Sequence, residues 1–147
     1  MDILNDAMKA VTDTVSGFWP KPSEKPRLVD GKLRPCLGTP NCVCSENPGS
    51  PGWVEPITFD PMTADEAWTM LKKVIDGMGG VVQSEESEYL WSTFTVPLLG
   101  FVDDVEFRLD KTDTVIHVRS ASRLGFSDLG VNRSRVEDIR RRFAEKG

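Results

Sequence analysis

Residues 88–121 read EYLWSTFTVPLLGFVDDVEFRLDKTDTVIHVRSA, and a two-residue alternation runs through them three times. Tyr89, Trp91, Thr93 and Thr95 face opposite to Leu90, Ser92, Phe94 and Val96. Val105, Phe107 and Leu109 alternate with Asp104, Glu106 and Arg108. Val115, His117, Arg119 and Ala121 alternate with Ile116, Val118 and Ser120. A period of two marks a strand with two unlike faces. Strands are therefore expected at 88–96, 102–109 and 114–121, with a fourth ahead of them at 80–85, GVVQSE. The segments between them are too short to hold crossover helices, so neighbouring strands must run antiparallel.

Working outward, Thr63-Ala-Asp-Glu66 carries the capping-box pattern that opens a helix. Ala67, Met70, Leu71, Val74 and Ile75 give that helix an apolar face, and Gly77 with Gly79-Gly80 ends it. After the strands, Val136, Ile139 and Phe143 space out a final helix. The expected fold is α+β, a four-stranded antiparallel meander with helices before and after it packed on one face. Cys36 to Pro56 is too rich in proline and glycine for a helix or a central strand. Residues 1–18 place Ile3, Leu4, Ala7, Met8, Val11, Val15 and Phe18 on one stripe and are expected to form an amphipathic helix. Residues 19–35, with Pro20, Pro22 and Pro26, are expected to be a tether. The domain organisation so read is a helix at 1–18, a tether at 19–35 and one α+β domain at 36–147.

The formal net charge of −5 over 147 residues argues against non-specific binding to nucleic acid. The charge is uneven. Residues 119–142 hold seven arginines against three carboxylates, a local +4 that leaves −9 elsewhere. No apolar run approaches the roughly 18 residues of a membrane span. Asp2, Asp6 and Asp13 interrupt the first residues, with no basic region before an apolar core, so no secretory signal is read there. Three cysteines, an odd number, suit a reducing compartment, and the expected location is cytoplasmic.

The basic segment HVRSASRLGFSDLGVNRSR, 117–135, supplies the leading candidate site: Arg119, Ser120, Ser122, Arg123, Ser127, Asp128, Asn132 and Arg133. A helix that begins near Asn132 presents free backbone N–H groups and partial positive charge, beside which arginines would fork onto a carboxylate or phosphate. The opposing reading is a lock, with Asp104 or Asp128 accepting from those arginines and tying the fourth strand to the last helix. Cys36, Cys42 and Cys44 are spaced C-x5-C-x-C. They would bind metal with His117 as fourth ligand if the cysteine segment lies against the fourth strand. They would otherwise form a Cys36–Cys42 or Cys36–Cys44 disulfide, or remain small buried thiols. Asp103, Asp104 and Glu106 would act as acid and base in a hydrolase, with Arg119 beside them, or would simply pair with arginines. There is no glycine-rich phosphate loop, no dinucleotide fingerprint and no complete catalytic triad.

The stretches CLGTPNCVCS (36–45), FVDDVEFRL (101–109) and IHVRSASRLGFSDLGVNRSRVEDIR (116–140) resemble the signature blocks of the domain of unknown function 1499 family, over roughly residues 33 to 143. The family occurs in bacteria and in photosynthetic eukaryotes and has no established general activity. Links of some members to tetrapyrroles or iron imply a haem-binding alternative. Trp91 stands where members often carry histidine, which argues against a histidine-ligated haem here. The expected function is a non-catalytic binding or accessory protein. It would use the Arg/Ser segment for an anionic ligand or protein partner, and residues 1–18 for docking or self-association. A haem or metal protein and a hydrolase are the alternatives.

Overall fold

The computed structural model describes residues 25–38, 40–96, 100–123 and 130–146. The helix expected at 1–18, the first part of the tether, and Ser127 and Asp128 lie outside the described residues. The described chain is α+β and its sheet is antiparallel. Strands β1 (Cys42–Cys44) and β2 (Ile57–Thr58) come first, then helix α1 (Ala64–Gly77). Strands β3 (Val81–Glu86), β4 (Tyr89–Thr95), β5 (Val102–Asp110) and β6 (Val115–Ser122) follow, and helix α2 (Val131–Lys146) closes the chain.

The meander forms as its alternation requires, in the order β6-β5-β4-β3. The sheet has six strands rather than four, because β1 and β2 both add to the outer edge of β6. Cys42 pairs with Ala121 and Cys44 with Arg119, while Ile57 pairs with Ile116. The proline- and glycine-rich segment thus contributes edge pairing only, where a strand of three residues is enough.

Helix α1 starts where expected. The Thr63 hydroxyl accepts from the Glu66 amide at 3.1 Å, and the Glu66 carboxylate accepts from the Thr63 amide at 3.1 Å. Its apolar face buries Ala67, Trp68, Leu71, Val74 and Ile75, and α2 adds Val136, Ile139 and Phe143. Both helices pack on the sheet face that carries Leu90, Phe94, Val105, Phe107, Leu109, Ile116 and Val118, which forms the single large core.

The other sheet face is also covered. Residues 28–35, expected as part of the tether, lie on it with Cys36 as a strap. Asp30 and Gly31, both with positive φ (53° and 75°), turn the chain between the paired Val29 and Lys32. Leu33, 3% exposed, then plugs a small cluster with Cys44 and Tyr89, against which Leu28, Cys36 and Trp91 pack.

Candidate functional site

Strand alternation puts Asp104, Glu106 and Arg108 of β5 on the strap-covered face, beside His117 and Arg119 of β6 and Tyr89 and Trp91 of β4. A buried face made of charges must pair them, and this one does so in three groups. Glu106, with no exposed surface, accepts from the Tyr89 hydroxyl at 2.7 Å and from Arg119 and Arg34 at 3.3 Å each. Arg119 also donates to the Arg34 carbonyl at 2.9 Å, which ties the strap to β6. Burial and then the Glu106 charge push the Tyr89 hydroxyl far up from its ordinary value, so it stays a donor.

Asp104 accepts both ends of the Arg123 fork at 3.0 Å and the Trp91 indole N–H at 2.9 Å. Trp91 therefore works here as a donor to a buried carboxylate. In the third group, Glu46 takes Arg108 in a fork at 2.7 Å and the Leu33 amide at 2.8 Å. Burial pushes the Glu46 carboxyl up, but the Arg108 fork, the Leu33 amide and the His117 ring together hold it below the usual range. The Ser45 hydroxyl accepts from the Val118 amide at 2.9 Å and is hydrogen-bonded to His117 Nδ1 at 2.8 Å. The other ring nitrogen, Nε2, lies 3.8 Å from a Glu46 oxygen. Burial, with Arg108 adding to it, lowers the affinity of the ring for a second proton despite Glu46.

The remaining residues of the basic segment lie on the helix side. Ser120 bonds to the Asn132 side chain, whose amide donates to the Asn41 carbonyl at 3.1 Å and to Ser122 Oγ at 2.9 Å. Asn132 and Ser120 have no exposed surface. Arg135 reaches Asp103 at 2.6 Å and sits 5.2 Å over the Phe94 ring. Strand alternation has split the expected cluster: Arg119 and Arg123 go to one face of the sheet, and Ser120, Ser122 and Asn132 to the other.

Arg133 alone of the expected arginines stands at an open surface. It donates to the carbonyls of Trp53 at 3.0 Å and Pro51 at 3.1 Å. Beside it lies a cleft of about 350 Å³, bounded by Cys36, Gly38, Pro40, Cys42, Gly52 and Gly130. The start of α2 forms one wall and the cysteine segment the other.

The cysteine segment does lie against the fourth strand, but it does not assemble a Cys3His site. Cys36 and Cys42 form a disulfide, with Cα atoms 5.6 Å apart. Cys44 is a buried free thiol, pushed up by burial, and both His117 nitrogens face partners. Among the described residues no three His, Cys, Asp or Glu side chains are grouped to hold a metal ion. With Cys36 and Cys42 bonded to each other, the expected Cys3His set is not assembled. The pairing leaves Cys44 as the single free thiol of the three cysteines.

Glu46, Arg34 and Tyr89 were not candidates from sequence. Glu46 and Arg34 sit in segments without periodicity. The usable signal was Asp104, Glu106 and Arg108 alternating onto one face of a strand, which demands counter-charges on that side.

A family model described as a protein of unknown function, DUF1499, matches residues 32–143. The chain belongs to that family. The match begins at the strap and takes in every strand and most of α2, so the DUF1499 unit includes both covers of the sheet. No curated protein matches the chain. No helix among the described residues is long and apolar enough to cross a membrane.

Proposed function

We propose that this DUF1499 chain is a non-catalytic binding or accessory protein. It engages an anionic ligand, or an acidic group of a protein partner, at the cleft beside Arg133, with residues 1–18 as a docking segment. The division of the arginines carries this reading. Arg119, Arg123 and Arg135 are spent on Glu106, Asp104 and Asp103, which also removes the carboxylates a hydrolase would need. Arg133 has five N–H donors and meets two backbone carbonyls, at the mouth of an open cleft. The first N–H groups and the positive end of α2 add to the attraction for an anion. A Cys36–Cys42 disulfide suits a compartment where the pair can be oxidised.

The test is a titration of the 15N-labelled full chain with inorganic phosphate. The amides of Gly38, Gly52 and Gly130 are expected to shift, and Arg133→Glu to abolish the response at an unchanged melting temperature. Arg123→Ala is expected instead to lower the melting temperature, since it strands a buried Asp104. Unmoved cleft amides, or an Arg133→Glu variant that responds like the wild type, would overturn the anion site.

A further inference from the structure

We propose that the Cys36–Cys42 disulfide is an exchange site for a protein dithiol, and that Leu37 is the side chain by which that partner docks. The two cysteines are unequally exposed. Cys36 is half-buried and borders the open cleft, whereas Cys42 is 5% exposed inside β1. An incoming thiolate therefore meets Cys36 first. Leu37 follows directly and is 88% exposed, while the next most exposed large apolar side chain among the described residues, Val131, is 40% exposed. A leucine so bare, next to a cysteine held in the disulfide, is placed for burial by a partner. Pro35, Gly38 and Pro40 around it are exposed as well.

Exchange runs in two balanced steps. One thiolate of the dithiol attacks Cys36 Sγ, the Cys36–Cys42 bond breaks, and Cys42 departs as a thiolate that takes up a proton. The second thiolate of the partner then attacks the partner's own mixed-disulfide sulfur and expels Cys36, which is protonated in turn. The cystine gains two electrons and two protons, and the dithiol becomes a disulfide. Arg133 and Gly130, at the start of α2, line the same cleft as Cys42. Cys44, two residues on, stays protonated through burial and does not compete. The fold need not open for this reaction. The Asn41 carbonyl keeps its bonds to the Ser122 amide and the Asn132 side chain, and β1 stays on β6. The wall formed by Cys36, Gly38 and Pro40 is then freed from Cys42, so the state of this pair sets the shape of the cleft. The exchange chemistry stands whether or not the cleft binds an anion.

The oxidised full chain is mixed, without denaturant, with a thioredoxin-type protein whose second cysteine is replaced by serine, and the adduct is mapped by peptide mass. A mixed disulfide at Cys36 is expected. Leu37→Asp is expected to slow its formation about fivefold or more, the worth of a docking side chain, while leaving reduction by dithiothreitol unchanged. Three results would overturn the exchange site: an adduct only after unfolding, an adduct at Cys42, or a protein isolated with all thiols free. Equal slowing of both reagents by Leu37→Asp would overturn Leu37 as the docking residue.

Discussion

His117 lies buried with its Nε2 3.8 Å from a Glu46 oxygen, and both groups lose proton affinity on folding. For each, the unfolded chain binds the proton more readily than the native one. Stability is therefore full above the unfolded value and is lost as pH falls through the native value. For His117 the loss begins below its ordinary 6.5, and for Glu46 below its ordinary 4.5. The melting temperature is thus expected to be flat at neutral pH and to descend in two stages on acidification. His117→Gln should remove the first stage and keep the second. A variant whose profile matches the wild type from neutral pH to pH 4.5 would show that the ring is not the group titrating. The His117 neighbourhood was closed to sequence reading. The alternation placed the ring on a strand face, but Ser45 is 72 residues away in a segment with no period.

At the scale of elements, what was legible was what repeats. Strands β4, β5 and β6 and the helix faces each repeat their pattern over six or more residues. β1 and β2, with three and two residues, are too short to show any period, and they escaped. The same limit kept the three cysteine alternatives open, because choosing among them needs the distance between Cys36 and Cys42 across a turn. The split of the Arg/Ser segment was legible in part: alternation already sent Arg119 and Ser120 to opposite faces, but not to which partners. These partners decide how α2 is held. Thr63→Ala removes an exposed cap from α1 and is expected to cost about 1 kcal/mol. Asn132→Ala strips a fully buried amide from Ser120, Ser122 and the Asn41 carbonyl, leaving several groups unsatisfied at about 1–3 kcal/mol each. Urea unfolding should therefore show the larger midpoint shift for Asn132→Ala, with slopes unchanged. Equal shifts would mean that α2 is held by its apolar face alone.

For the whole molecule, the question is where the folded unit begins. Composition set the boundary at residue 36, after the prolines, because nothing in 19–35 repeats. A face bearing Glu106, Asp104, Arg108 and Arg119 has to be roofed, which argues for an earlier start. The strap provides that roof through Leu33, the Leu33 amide on Glu46, Arg34 on Glu106, and the Arg34 carbonyl under Arg119. Burying one leucine contributes about 1.5–3 kcal/mol, and each hydrogen bond to a charged group about 1.5–3 kcal/mol. Against a total of about 5–15 kcal/mol for a domain, losing the strap removes most of the margin. A chain lacking residues 1–24 keeps the whole strap and serves as the reference. One lacking residues 1–35, which still keeps Cys36 and its disulfide, should be largely unfolded at 25 °C or melt far earlier. Should the shorter chain unfold cooperatively at the wild-type midpoint, water would be serving the polar face as well as the strap does, and residue 36 would be the true start of the domain.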